Sequence, residues 1–373
     1  MTRVRGIPSM TGIRGCAALW VMLFHAHQNA DRFYNLPLLQ RNRFLGNGWQ
    51  GVDLFFMLSG FILMYAHGLD FCKISKGPLI RFARLRFTRV YPLNAVVLFL
   101  VAILVALQPG FVAWLRSANN PSDCSLGAFV RTLFLATRWF LPGRGDWNGP
   151  VWSLSLEVLA YVMFPFLAFC ALRAARKWQF IGIAFLSLAG SIVILRARHY
   201  AYDDTGQVAI VRMAACFVTG IAILRLAALS AESASKWAGW MTAISAAGIL
   251  VAGSLPGGGI LLNFFFAVLL YGLTFQRGII NKLLSGRVAV FLGEISFPLY
   301  LVHFMPLTWI KYLVLTNGAA YSPEWRQTAL ICWFFGSVVL ASILHYFVEK
   351  PFHALGRRWA GARVPSPTAL ARS

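Results

Sequence analysis

The chain has 373 residues, of which 58% are hydrophobic, 15% aromatic and only 12% charged, with a mean hydropathy of +0.66. No soluble domain covers so many apolar runs, so the composition excludes a soluble globular enzyme and points to an all-α polytopic membrane protein. The formal net charge of +22 would suggest nucleic acid in a soluble protein, but here the cations sit mostly in short segments between apolar runs. There they report orientation in the bilayer, and no nucleic-acid partner is expected.

The first apolar run, Met10 to Gln28, carries Arg14 near its start and His25 near its end. Titratable residues in a segment long enough to cross a bilayer are costly and need a reason. At 3.6 residues per turn their spacing returns Arg14 and His25 to nearly the same helix face, separated by roughly 16 Å of rise. One helix therefore presents a cation at one depth and an imidazole at another, although for either residue alone snorkelling or a satisfied packing role is the ordinary reading. Arg3 and Arg5 precede the run, yet no small-residue cleavage site follows, so an uncleaved first span is expected.

Further spans are predicted at roughly 51–67, 92–109, 151–172, 178–196, 207–226, 237–254, 259–276, 288–310 and 328–348, giving about ten transmembrane helices. The stretch 127–141, which contains Arg131 and Arg138, either spans or re-enters. Re-entry puts both termini in the cytosol and places about twice as many Lys and Arg on that side as outside. The six cysteines are scattered without ligand-like spacing, so neither a metal site nor a disulfide framework is expected. Residues 1–352 read as one transmembrane domain, followed by a basic, disordered cytosolic tail at 353–373.

Several polar residues interrupt these spans. The second begins GVDLFFMLSGF, with Asp53 near its outer end, readable as a helix N-cap, and Gly60 as a packing contact. The loop that follows ends in RFARLRFTRVYP, which packs Arg81, Arg84, Arg86 and Arg89 just before a span starting at Pro92. It reads either as positive-inside anchoring or as a phosphate site, since guanidinium groups grip phosphate oxygens bidentately. The span opening VWSLSLE holds Glu157 inside the membrane with Ser153 four residues earlier on the same face, and Arg212 is a candidate neutralising partner. Late in the chain, FLGEISFPLYLVHF carries Glu294, a kink at Pro298, and Tyr300 and His303 towards the outer end; HYFVEKPF puts Glu349 at a salt-bridged helix end. Sorted by depth, Arg14, Arg86, Arg89, Glu294 and Glu349 form a cytosolic layer, and His25, Asp53, Glu157 and His303 an outer one.

These segments are similar to those of the acyltransferase-3 family of integral membrane O-acyltransferases. The matching stretches are RGCAALWVMLFH, GVDLFFMLSGF, RFTRVYP, WSLSLE, EISFPLYLVH and FVEKPF, in the family's order across residues 14 to 352. The resemblance implies a ten-helix core that moves an acyl group, commonly acetyl, from acyl-CoA to hydroxyls of sugars in surface polysaccharides, glycolipids or glycosylated natural products. Acyl-CoA is then a co-substrate, with no permanently bound cofactor and no metal. Carried over, His25 is the catalytic histidine, Arg14 its motif partner, Arg86 and Arg89 the donor-side arginines, and Glu157 the acidic residue of its segment. Asp53 or Glu157 would orient the imidazole, with Ser153, Tyr300 and His303 as substrate or structural support. Val158 stands where many members have a second acidic residue, and the tail is too short for the esterase-like domain some members append.

The expected protein is thus a multi-pass enzyme of the bacterial inner membrane, meeting acyl-CoA, a glycan acceptor, the bilayer and polysaccharide assembly proteins. The competing readings are a transporter or flippase for a lipid-linked sugar, whose intramembrane charges line a path, and a non-catalytic scaffold. Trp139 and Trp147 are candidates for stacking on sugar rings, or else interfacial belt residues.

Overall fold

The computed structural model describes residues 7–115, 125–139, 146–201, 203–206, 208–230, 233–317 and 320–361, and among them every regular element is helical. The principal helices are α1 (Pro8–His27), α2 (Gly51–His67), α3 (Lys76–Leu107), α4 (Leu126–Leu133), α5 (Val151–Arg173), α6 (Lys177–Ala197), α7 (Ala209–Leu229) and α8 (Ser233–Ser254). They are followed by α9 (Leu262–Thr274), α10 (Gly278–Leu284), α11 (Arg287–Glu294), α12 (Ser296–Val302), α13 (Phe304–Thr316), α14 (Pro323–Leu344) and α15 (Lys350–Trp359). Short helical turns between residues 30 and 50 link α1 to α2.

Among the described residues, eight helical segments are long and apolar enough to cross a membrane, and the pair Gly258–Thr274 and Gly278–Leu284, bent by 87°, makes a ninth if taken together. The protein is a multi-pass integral membrane protein. The first helix is what separates this set from the ten expected. Its twenty residues rise about 30 Å, enough to cross, but it mixes glycines, Arg14 and two histidines with its apolar positions. Neighbours shield it instead of its own side chains: Met10, Ala17, Ala18, Val21 and Met22 are at most 2% exposed. A helix wrapped by protein is free to carry polar groups that lipid would penalise.

Two close helix crossings fix the centre. A Cβ on Gly60 of α2 would lie 2.0 Å from the Phe217 carbonyl oxygen of α7, and one on Gly220 of α7 would lie 1.9 Å from that of Met57. Gly60 is thus the packing contact expected, because backbones this close tolerate no side chain. A Cβ on Gly15 would likewise meet the Gly293 amide nitrogen at 2.7 Å, which holds α1 against α11.

The arginine-rich stretch lies within a helix, whereas a loop was expected. α3 runs unbroken for 32 residues, about 48 Å, from Lys76 through the four arginines and Pro92. Arg, Leu and Ala are good helix formers, so a basic run extends the helix beyond the apolar slab. The opposite occurs in the expected span 288–310, which is broken into α11, α12 and α13. Pro298 cannot donate to the Glu294 carbonyl, nor Pro306 to that of Val302, and the helix interrupts at Ile295 and His303, one residue past each of these carbonyls.

Within 127–139, the described part of the stretch that either spans or re-enters, the helix α4 has eight residues, about 12 Å of rise, too short to cross, and ends in a turn where Leu135 takes φ 55°. The chain then folds back onto α5: the Arg138 amide donates to Ser155 Oγ at 3.0 Å and Trp139 Nε1 to the Ser155 carbonyl at 2.8 Å. Trp147 Nε1 donates to the Ser125 carbonyl at 2.9 Å, so both tryptophans brace this loop. The boundary expected at 352 falls inside α15, which packs against α3 where Gly356 meets Thr88; residues 362–373 lie outside the described set.

Candidate active site

The cavity at the heart of the bundle grows out of α2, α3 and α5. Ser59, mid-way along α2, donates its hydroxyl to Glu157 of α5. Ser153, Glu157 and Tyr161 follow one another at four-residue spacing and so share one face of α5. All three line a cavity of about 180 Å³ together with Arg14, Ser59, Arg86 and Arg89, against a wall that includes Phe55, Phe56 and Phe297. Tyr300 of α12 also lines it, its hydroxyl 2.7 Å from Ser153 Oγ and 3.2 Å from the Pro150 carbonyl. Glu157 therefore belongs with the arginines, and the separate outer carboxylate layer expected from depth does not include it.

The three arginines are held differently. Arg86 lies over the rings of Phe82 and Tyr161, at 5.7 and 5.9 Å, and its Nη2 donates to His67 Nε2 at 3.3 Å. His67 Nδ1 faces Asp70 at 3.3 Å, which leaves its Nε2 as the acceptor. The Arg86 Nε is buried without a partner. Arg89 is ion-paired with Glu349, donates to His353 Nε2 at 3.0 Å and lies 5.4 Å over the Phe297 ring. The second oxygen of Glu349 takes His345 Nδ1 at 2.6 Å within a π-helical turn, His345–Glu349, that links α14 to α15. The salt-bridged helix end expected at Glu349 is therefore a cross-helix pair, and it is buried, with Glu349 2% exposed. Arg14 forms no hydrogen bond or ion pair among the described residues and faces the cavity.

The other two arginines of the run are committed elsewhere. Arg81 pairs with Asp70 at 2.6 Å, and Arg84 donates to the Trp359 carbonyl at 3.0 Å while lying 4.9 Å over its ring. Glu294 is exposed at the end of α11.

Asp53 is not part of the cavity lining. It is wholly buried, with Arg212 Nε donating to one oxygen at 3.1 Å and Asn263 Nδ2 to the other at 3.0 Å. Arg212, expected as a partner for Glu157, is the partner of Asp53 instead. The N-cap position of α2 belongs to Gln50. At the loop beside α4, Asp146 pairs with Arg138 at 2.9 Å; burial pushes its carboxyl above the usual range, against the pull of that guanidinium.

His25 also lies off the cavity, beyond Tyr300. Its ring is 5.2 Å from that of His303, which in turn is 6.0 Å from that of Tyr300. Phe304 packs edge-on to His25 at 5.1 Å, Gln28 Oε1 stands 3.4 Å from its Nδ1, and Lys311 Nζ donates to its carbonyl at 3.1 Å. The order is therefore arginines, Glu157, Tyr300, His303, His25. Neither Asp53 nor Glu157 stands behind His25. Sequence reasoning passed over Tyr161 and His67. The first was readable as the next member of the Ser153–Glu157 stripe; the second had no local signal, because Arg86 reaches it from another helix.

This arrangement offers guanidinium groups for an anionic ligand, a largely apolar cavity that also holds a carboxylate and hydroxyls, and a pair of imidazoles outside it, beyond Tyr300. A family model described as "Acyltransferase domain" matches residues 7–347. The chain is 27% identical to "Acyltransferase MdmB" of Streptomyces mycarofaciens, over 98% of this chain and 96% of that protein. It is 30% identical to "Protein 2 in picA locus" of Rhizobium radiobacter over 42% of this chain and 78% of the other, and 20% identical to "O-acetyltransferase OatA" of Staphylococcus aureus over 94% of this chain and 58% of the other. No solved structure matches significantly. A family match across nearly the whole chain, on a cavity built from the expected motif residues, places this protein in the acyltransferase-3 family as a membrane acyltransferase.

Proposed function

We propose that the protein transfers an acyl group, in the first instance acetyl, from acyl-CoA to a hydroxyl of a sugar in a surface or exported glycan or glycolipid. It works in the bacterial inner membrane with both termini cytosolic. The observation that carries this reading is the shared cavity: Arg14, Arg86 and Arg89 converge on one space with Glu157, and Tyr300 on its wall stands next to the first of the two imidazoles. The name of the Staphylococcus aureus relative supports acetyl transfer to oxygen.

CoA enters from the basic half of α3. Its phosphates meet Arg86 and Arg89, with Arg14 deeper, since guanidinium–phosphate pairs combine charge with bidentate geometry. The thioester arm then lies along Ser59, Glu157 and Ser153 towards Tyr300. The acceptor hydroxyl arrives from the outer side beside His25 and Gln28. Neutral His25 takes the hydroxyl proton as the oxygen attacks the thioester carbonyl; the carbon–sulfur bond breaks, and the thiolate leaves as CoA–SH with the proton from the imidazolium. Tyr300 and His303 separate donor and acceptor sides, and His303 is also where α12 breaks from α13, so the approach of the two substrates requires movement at that joint.

The test is purified protein in lipid nanodiscs with labelled acetyl-CoA and glycans extracted from a strain lacking it. Release of CoA with label on an alkali-sensitive glycan ester is expected. Protein that neither binds acetyl-CoA nor releases CoA overturns the reading in favour of transport or scaffolding. Mass spectrometry of the producer's glycans with and without the protein then names acyl group and acceptor.

A further inference from the structure

The imidazole of His303 is fully buried, and its two nitrogens are unlike. Nδ1 lies 3.0 Å from the Leu299 carbonyl, an acceptor only, so Nδ1 carries the hydrogen and Nε2 presents a lone pair. That Nε2 has no hydrogen-bond partner among the described residues. A buried acceptor left unpartnered is costly and points to a group that arrives during function. The backbone at this point is clamped: Trp333 Nε1 donates to the His303 carbonyl at 2.7 Å, and Asn148 Nδ2 to the Leu301 carbonyl at 2.8 Å. The ring is thus held in one tautomer, beside the His25 ring at 5.2 Å with 35° between their planes. Beyond it stands Tyr300, at the end of the cavity.

A histidine acting as base needs one nitrogen free for the substrate and a partner for the hydrogen on the other. The carboxylates considered for that task are engaged elsewhere, Asp53 with Arg212 and Asn263, Glu157 with Ser59. We infer that His303 is the positioning residue for His25: its Nε2 lone pair accepts the N–H of the His25 imidazole when the acceptor sugar enters, holding His25 in the tautomer that takes the hydroxyl proton. The net proton count is unchanged by this contact. The hydroxyl proton passes to His25 and leaves on CoA–SH, while the shared hydrogen stays on His25.

This inference rests on His25 being the base, and the experiment separates the two. Three variants are compared in nanodiscs for acetyl-CoA affinity, kcat and KM of transfer: His303→Phe, which keeps a flat ring without the lone pair; His303→Gln, which restores an acceptor oxygen; and His25→Ala. Expected for His303→Phe is a kcat about a hundredfold lower, on the order of the lower bound of base assistance, with acetyl-CoA affinity unchanged. His303→Gln should recover at least tenfold of that loss. Equal kcat for Phe and Gln, or a Phe variant within threefold of the parent, overturns the inference while a dead His25→Ala keeps the general-base reading. An active His25→Ala overturns that reading itself. Thermal unfolding of each variant is measured alongside. A shared fall in stability, with no kcat difference between Phe and Gln, assigns His303 to packing and also overturns the inference.

Discussion

Arg212 and Asp53 form a buried ion pair, Nε to Oδ1 3.1 Å, with side chains 1% and 0% exposed. They come from α7 and α2, which cross closely at Gly60 and Gly220. Removing one member leaves a buried charge uncompensated, which destabilises by about 3–5 kcal/mol, whereas removing both is far milder. Asp53→Asn and Arg212→Met should each lower the thermal unfolding temperature sharply, and the double variant should recover much of the loss. Transfer per folded molecule should be unchanged. A stable, well-folded Asp53→Asn protein without transfer activity would instead return Asp53 to the chemistry.

The donor-side arginines should separate by what else they hold. Arg86→Ala removes a cavity-facing guanidinium that has no ion-pair partner among the described residues, so acetyl-CoA binding should weaken by ~10- to 100-fold, in line with charge-assisted hydrogen bonds of about 1.5–3 kcal/mol. Arg86→Lys should rescue this only in part, because the bidentate fork is lost. Arg89→Ala should weaken donor binding and also lower thermal stability, since Glu349 is left buried. Pairing it with Glu349→Gln should restore stability without restoring binding. Calorimetric acetyl-CoA affinities equal to the parent in both arginine variants would reduce the cluster to topology.

Glu157 shares the cavity proposed to take the donor with three arginines and with Ser59. Glu157→Gln keeps a group for the Ser59 hydroxyl but removes the counter-charge. Free CoA should bind at least as well as to the parent, because one negative charge near its phosphates is gone. Transfer should fall tenfold or more, because the thioester arm is no longer guided. Competition binding and single-turnover transfer check the two halves, and weakened CoA binding with normal single-turnover transfer would contradict this account.

The α2–α7 crossing carries the most geometric of the predictions. Gly220→Val should prevent assembly of the bundle, since its Cβ alone would overlap the Met57 carbonyl. Gly182, whose Cβ would meet no atom within 4 Å, should accept Ala with little change. Comparable yields of folded protein for both variants by size-exclusion chromatography would argue against this crossing.

Much of this arrangement was legible as pattern. Long apolar runs marked the spans, and Arg14, Arg86 and Arg89, expected together in the cytosolic layer, do share one cavity. The misreadings have physical causes. A basic run was taken for a loop, although arginine propagates helix, so α3 starts well before its apolar part. Glu157 was sorted by depth alone, and depth along one helix does not reveal which neighbours it faces. The partner of Asp53 lies 159 residues away on α7, a pairing that no local spacing encodes. The joint at His303 follows from Pro306 four residues after Val302, which was readable, but its closeness to His25 depends on how α1 docks against α12 and α13.

The central claim is that donor capture and proton transfer occupy the two ends of one path, arginines at one and His25 at the other. The measurement that tests it most directly is acetyl-CoA affinity and acyl-transfer rate of His25→Ala in nanodiscs, on the same preparation. Affinity within twofold of the parent together with a transfer rate lower by ~10²- to 10⁴-fold is the expected result, since His25 lies off the cavity proposed to take the donor and is the proposed base. Transfer within threefold of the parent would contradict it.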